Sequence, residues 1–185
     1  MRVIAGTLGG RRLQSPPGSV TRPTSDRVRE ALFATLGPID GLSVLDLFAG
    51  SGALAIEALS RGASHGTLLE SGRNALKCIE ANARDLGLRD KVTAILGDAE
   101  RSLGRIAGPP VRVLFADPPY DLVETDGFFR FLTTARDSLR WEEEALVVLE
   151  HRANDTVPAL EGIVEETLRT WGDTSVWIGR VVPAH

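Results

Sequence analysis

The chain has 185 residues, of which 43% are apolar, enough to bury the core of one domain. A single cysteine, Cys78, excludes an intrachain disulfide framework and a cysteine-cluster metal site. The formal net charge of -4 excludes a uniformly basic nucleic-acid binder, yet residues 1–30 carry a net +4, which leaves -8 for the rest. A basic arm on an acidic body is the asymmetry that can place a nucleic acid at one end, through Arg2, Arg11, Arg12 and Arg22; the alternative is an ordinary solvated surface. Arginine outnumbers lysine 19 to 2 throughout, so arginine identity alone carries little weight. No secretory leader opens the chain and no apolar run approaches the ~18 residues of a membrane span, so a cytoplasmic protein without membrane contact is expected.

Residues 2–5 and 11–14 are short extended candidates around Gly9-Gly10 and read as a hairpin, which sets an N-terminal extension over residues 1–20 apart from a main domain over 21–185. Thr24 and Ser25 are candidate N-caps for a helix with Val28, Ala31, Leu32 and Leu36 on one face, stopped by Gly37-Pro38. The chain then alternates. Leu42 to Phe48 reads as a buried strand, Ser51 to Arg61 as a helix, Gly66 to Glu70 as a strand and Asn74 to Leu86 as a helix. Val92 to Leu96 is a strand, followed by a short helix after Asp98. Val111 to Ala116 is an apolar strand, Thr125 to Leu139 a helix and Ala145 to Glu150 a strand. This β-α alternation predicts an α/β fold with a parallel sheet covered by helices on both faces. Ile163 to Leu168 and Thr174 to Val182 are strand-like, and the gap Arg169 to Asp173 suits a hairpin, so the last strands should pair antiparallel.

Two strand ends carry the chemistry. Asp46-Leu47-Phe48-Ala49-Gly50-Ser51-Gly52 closes the first main strand, where a doubly wound sheet binds ligands. Glycines there let the backbone turn sharply and approach a ligand closely. Glu70 ends the next strand 20 residues after Gly50, the spacing at which a nucleoside site places a carboxylate on ribose hydroxyls. A nicotinamide site is one reading, with Ala55 as the third small residue. Against it, the Asp46 carboxylate would repel a pyrophosphate. S-adenosylmethionine (SAM) has an amino group and a sulfonium and no phosphate, and is favoured. Asp98 follows the third strand: its type explains a helix N-cap, and in a methyltransferase it and Ala99 would meet the adenine.

Asp117-Pro118-Pro119-Tyr120 closes the fourth strand. Two successive prolines remove both backbone donors and stiffen the loop, leaving the Asp117 carboxylate and backbone carbonyls as acceptors beside the flat face of Tyr120. Such acceptors, for example Asp117 and the Pro118 carbonyl, could hold the two N–H bonds of an exocyclic amine. They would aim its lone pair at a methyl donor and stabilise the charge that develops on nitrogen. Tyr120 would stack on a base that is unpaired or flipped out. The remaining polar residues read as structure: Cys78 as packing, and the acidic run Glu142-Glu143-Glu144 as a solvated turn. Trp141, Trp171 and Trp177 read as core, and the scattered His65, His151 and His185 match neither a metal nor a triad spacing, although His151 follows the fifth strand.

The opening Met1 to Gly6 with Gly10-Arg11-Arg12-Leu13, the block Arg22 to Glu30, and the two motifs above together resemble the bacterial small-subunit ribosomal RNA methyltransferase D family over nearly the whole chain. The resemblance implies a class I, Rossmann-like SAM-dependent methyltransferase fold and methylation of a guanine N2 amine in 16S ribosomal RNA. Direct transfer by a monomer without a metal is expected, on RNA that is free or, as the acidic body suggests, within a ribosomal particle. It implies that Asp46, Phe48, Gly50, Gly52, Glu70 and Asp98 line the SAM pocket and that Asp117 and Tyr120 hold the guanine. Thr24 and Arg27 would close over cofactor or RNA, and the N-terminal hairpin would help bind RNA. A DNA adenine or cytosine amino-methyltransferase, a glutamine methyltransferase and a non-enzymatic RNA-binding assembly factor are the rival readings.

Overall fold

The computed structural model describes residues 1–16, 26–123 and 125–182. Elements follow in chain order: α1 (Asp26–Leu36), β1 (Ser43–Asp46), α2 (Ala53–Ser60), β2 (His65–Glu70), α3 (Arg73–Asp85), β3 (Val92–Leu96), α4 (Ala99–Ser102), β4 (Val111–Ala116), α5 (Tyr120–Val123), α6 (Asp126–Ser138), β5 (Trp141–Arg152), β6 (Ile163–Trp171) and β7 (Thr174–Val181).

The seven strands form one sheet in the order β3-β2-β1-β4-β5-β7-β6. The first five are parallel, and β7 lies antiparallel between β5 and β6. Alternation along each strand splits the core into two layers. Val44, Leu68, Val113, Phe115 and Val148 face α1, α2 and α3 through Phe33, Ile56 and Ile79. Their neighbours Leu45, Leu69, Leu114, Val147 and Leu149 face α4, α5 and α6 through Ala99, Val123, Phe128 and Leu132. A parallel sheet buried on both faces accounts for the continuous apolar runs of β1 and β4. Local signals set the helix starts: the Asp98 carboxylate accepts the Arg101 amide at the head of α4, and Thr125 Oγ1 accepts the Phe128 amide at the head of α6. No helix among the described residues is long and apolar enough to cross a membrane.

Several elements differ from expectation. The N-terminal hairpin is reduced to one bridge between Arg2 and Arg12, flanked by the Val3–Arg11 and Leu13–Met1 backbone bonds and by a 3-10 turn over Gly6–Leu8. It is held against the domain by side chains. Glu57, fully buried on α2, accepts the amides of Ile4 (2.6 Å) and Ala5 (3.0 Å), and Asn82 on α3 binds both backbone groups of Gln14. Residues 1–16 are therefore stapled to α2 and α3. The cap residues Thr24 and Ser25 lie outside the described residues.

The run Glu142-Glu143-Glu144 is not a turn. It belongs to β5, which begins at Trp141 opposite Val111 and has an irregularity where Glu144 takes φ 54°. Arg112 reaches the Glu143 carbonyl and the Glu144 carboxylate across this stretch. The final hairpin is tighter than the gap Arg169 to Asp173 suggested: Trp171 pairs with Thr174, leaving a two-residue turn. Arg169, Thr170 and Trp171 lie on an edge strand with little burial, so no apolar alternation marks them as strand.

Candidate active site

In the strand order, β2, β1 and β4 are neighbours and parallel, so their carboxyl ends lie side by side. The order reverses between β1 and β4, the switch point at which such sheets open a crevice. Asp46 ends β1, Glu70 ends β2 and Asp117 follows β4. The connection after β1 is tied to both neighbouring strands: the Leu47 amide donates to Phe115 O and the Ala49 amide to Leu69 O.

Gly50 and Gly52 both have positive φ, 55° and 81°. Their surroundings differ. A Cβ on Gly52 would lie 2.9 Å from Leu68 Cδ2, so this glycine serves the packing of α2 on the sheet, whereas a Cβ on Gly50 would meet nothing within 4 Å and would enter the open crevice. Glu70 braces the turn from β2, accepting the Gly50 amide at 2.7 Å and the Gly72 amide at 2.6 Å with separate oxygens.

Asp46 is 1% exposed, and its Oδ1 has no hydrogen-bond partner. Burial, with Asp117 and then Glu70 adding negative charge, outweighs the amides of Phe48 and Ala55 and pushes its carboxyl up to about 8. An orphaned buried oxygen among three carboxylates, beside a glycine open to the crevice, fits a cationic ligand that carries hydroxyls, and so fits SAM. The same carboxylates oppose a pyrophosphate. Among the described residues they are not arranged as a metal site.

Phe48 is half-buried against Phe128, ring centroids 6.2 Å apart. Asp98 is exposed and caps α4, while the Ala99 methyl is buried in the core, so Ala99 can offer only backbone to a ligand. At the acceptor motif, Pro118 is buried and Asp117 and Tyr120 are half-buried. The Leu122 amide donates to the Pro119 carbonyl at 2.9 Å. Tyr120 opens α5 instead of extending the loop.

Other expected residues are less engaged. Arg27 is exposed on the first turn of α1. Arg2 pairs with Asp26 at 3.2 Å and Arg11 donates to the Asp85 carbonyl at 3.1 Å, both at exposed positions, and Arg12 is exposed. Arg22 and Thr24 lie outside the described residues.

Three residues that sequence reasoning missed complete the arrangement. The Arg152 guanidinium lies over the Tyr120 ring, 5.2 Å from its centroid. Thr174 Oγ1 stands 3.4 Å from the Tyr120 hydroxyl. Asn82, 2% exposed, donates to the carbonyls of Gln14 and Ser51 at 3.0 Å each and so joins the N-terminal arm to the glycine turn.

The model of the family described as "Conserved hypothetical protein 95" matches residues 1–180. The Escherichia coli protein named ribosomal RNA small subunit methyltransferase D is 35% identical over 164 residues, covering 86% of this chain and 79% of its own. The chain belongs to this family of small-subunit methyltransferase D proteins. A Bacillus subtilis relative, "Putative rRNA methyltransferase YlbH", is 38% identical over 182 residues and is covered to 97% by 96% of this chain. The solved structure "Putative methyltransferase yhhF from Escherichia coli" superposes with a TM-score of 0.83 at 31% identity, covering 98% of both chains. The sheet with its single reversed strand is accordingly the class I methyltransferase fold shared across the family.

Proposed function

We propose that this chain transfers a methyl group from SAM to the exocyclic N2 amine of a guanine in small-subunit ribosomal RNA. The observation that carries the reading is the Asp117-Pro118-Pro119-Tyr120 turn directly across the switch point from the buried Asp46 and the open Gly50. Relatives named as ribosomal RNA methyltransferases, matched over most of their length, support the substrate class.

When bound, SAM supplies an electrophilic methyl on a positively charged sulfur. Asp46, Glu70 and the Gly50 turn would hold its polar and cationic groups, with Gly52 shaping that turn, Phe48 and Ala99 lining the site and Asp98 meeting the base. Thr24 and Arg27 are proposed to close over cofactor or RNA. Asp117 and the Pro118 carbonyl accept the two amine N–H bonds, keep the nitrogen lone pair out of the ring and offset the positive charge that grows on it. Asp117 also offers a base for the departing proton. Tyr120 stacks on the guanine, which reaches the pocket only when unpaired. Arg2, Arg11, Arg12 and Arg22 give the N-terminal arm the positive charge to meet RNA backbone.

A labelled-methyl transfer assay on small ribosomal subunits from cells lacking this gene, followed by nucleoside analysis, tests the reading. N2-methylguanosine is the expected product. Label on adenine or cytosine would reject the guanine assignment, and absence of label despite SAM binding would reject ribosomal RNA as acceptor.

A further inference from the structure

The acceptor side of the crevice poses an electrostatic problem. Glu70 and Asp117 make it acidic, yet the proposed substrate is a polyanion whose flipped nucleotide carries phosphates to the rim. A cation must stand where the nucleotide's backbone passes. Arg152 ends β5 and is fixed from several sides: its backbone amide donates to Asp155 Oδ2 at 3.2 Å, its guanidinium covers the Tyr120 ring, and Nη2 lies 3.3 Å from Asp121 Oδ1.

The ion pair with Asp121 is exchangeable. The Arg152 side chain is 45% exposed and that of Asp121 is 92% exposed, so the attraction is screened by water and a better anion can displace the carboxylate. A guanidinium can contact an aromatic ring and still offer a phosphodiester two parallel N–H donors.

We infer that Arg152 is a phosphodiester-binding residue: it exchanges Asp121 for a phosphate of the acceptor nucleotide while it keeps the Tyr120 ring in place for the base. This rests on the reading of Tyr120 as the platform for that base. Asp121 then acts as a placeholder that holds the guanidinium at the rim when RNA is absent.

The experiment compares Arg152→Gln, Arg152→Lys, Asp121→Asn and the double variant Asp121→Asn/Arg152→Gln on undermethylated small ribosomal subunits. Arg152→Gln should raise the substrate KM about tenfold and lower the salt dependence of binding by about one phosphate contact, with the dissociation constant of SAM unchanged. Arg152→Lys should restore the salt dependence but only part of the KM, because an ammonium lacks the flat fork. Asp121→Asn should lower KM, and that gain should vanish in the double variant; a simple relief of repulsion would persist there.

Tyr120 is the sole tyrosine, so ring-labelled tyrosine gives one nuclear magnetic resonance signal. A guanine-containing RNA tetranucleotide should move it by ring-current shielding. If it does not move, the base-stacking reading fails. If it moves but Arg152→Gln leaves KM and salt dependence intact, the assignment of Arg152 fails alone. An equal loss of SAM affinity in Arg152→Gln would mark a purely structural role and overturn the assignment too.

Discussion

The Asp117 carboxylate, just beyond the end of one strand, raises the cost of ionising Asp46 at the end of the next. Burial first, and this charge second, hold Asp46 largely as a neutral acid at pH 7. The unfolded chain loses that proton near pH 4, its ordinary value, while the fold keeps it up to about 8. The native state binds the extra proton across this window, so Asp46's contribution to stability is fully present below about pH 4 and is lost as pH rises through about 8. Thermal melting of the ligand-free protein should show this loss, at most about 1.4 kcal/mol per pH unit, and Asp46→Asn should remove it.

A cationic ligand reverses the preference. SAM affinity should rise with pH, by at most about tenfold per unit between roughly pH 6 and 8, as binding expels the Asp46 proton. Calorimetry in two buffers of different ionisation heat should record proton release for the natural chain and less for Asp46→Asn. Equal release from both would show that the proton comes from elsewhere.

Substitution of the two turn glycines should separate fold from ligand. Both need the left-handed backbone, which costs an L-residue about 1–2 kcal/mol. Gly52→Ala also drives a methyl into Leu68 and should cost a further ~1–3 kcal/mol by overpacking, visible in denaturant melts. Gly50→Ala meets no protein atom, so its additional effect should fall on SAM affinity.

Asp117→Ala should retain SAM binding and lose about 10²–10³-fold in methyl transfer, the scale found when one stabilising group is removed from a site of developing charge. Single-turnover rates at saturating SAM isolate this step. Near-normal turnover would contradict the role given to the carboxylate.

Asn82→Ala leaves three backbone groups without partners, those of Gln14 N, Gln14 O and Ser51 O. The cost should be about 2–4 kcal/mol, with amide exchange increased first in residues 1–16 and the glycine turn.

The sheet was legible because strand runs are bounded by local punctuation. Val92–Leu96 stops at Gly97 and Val111–Ala116 starts after Pro109-Pro110, and both strands match their predicted limits. β1 is shorter than its apolar run, since Leu47 and Phe48 remain apolar after leaving the strand: Leu47 fills the core and Phe48 packs beside it. The start of β5 was missed because Glu142 to Glu144 carry no apolar alternation; their strand character comes from the neighbouring β4. Both motifs lie at strand ends, as their order along the chain suggested. The contacts that brace them were not legible. Asn82 meets Gln14 across 68 residues, Glu57 meets Ile4 across 53, and Thr174 meets Tyr120 across 54. No periodicity encodes such pairings; only the folded sheet creates them.

The reversed strand has a consequence for how the chain is made. β7 is the last of the seven to be synthesised, yet it lies between β5 and β6. Until residues 174–181 emerge, β5 keeps an open edge and β6 has no neighbour in the sheet. The nascent domain therefore waits with a bare strand beside its acceptor motif, a template for misjoining with another chain. A chain cut within the Gly172-Asp173 turn should aggregate, whereas removal of the residues after Val181 spares every strand.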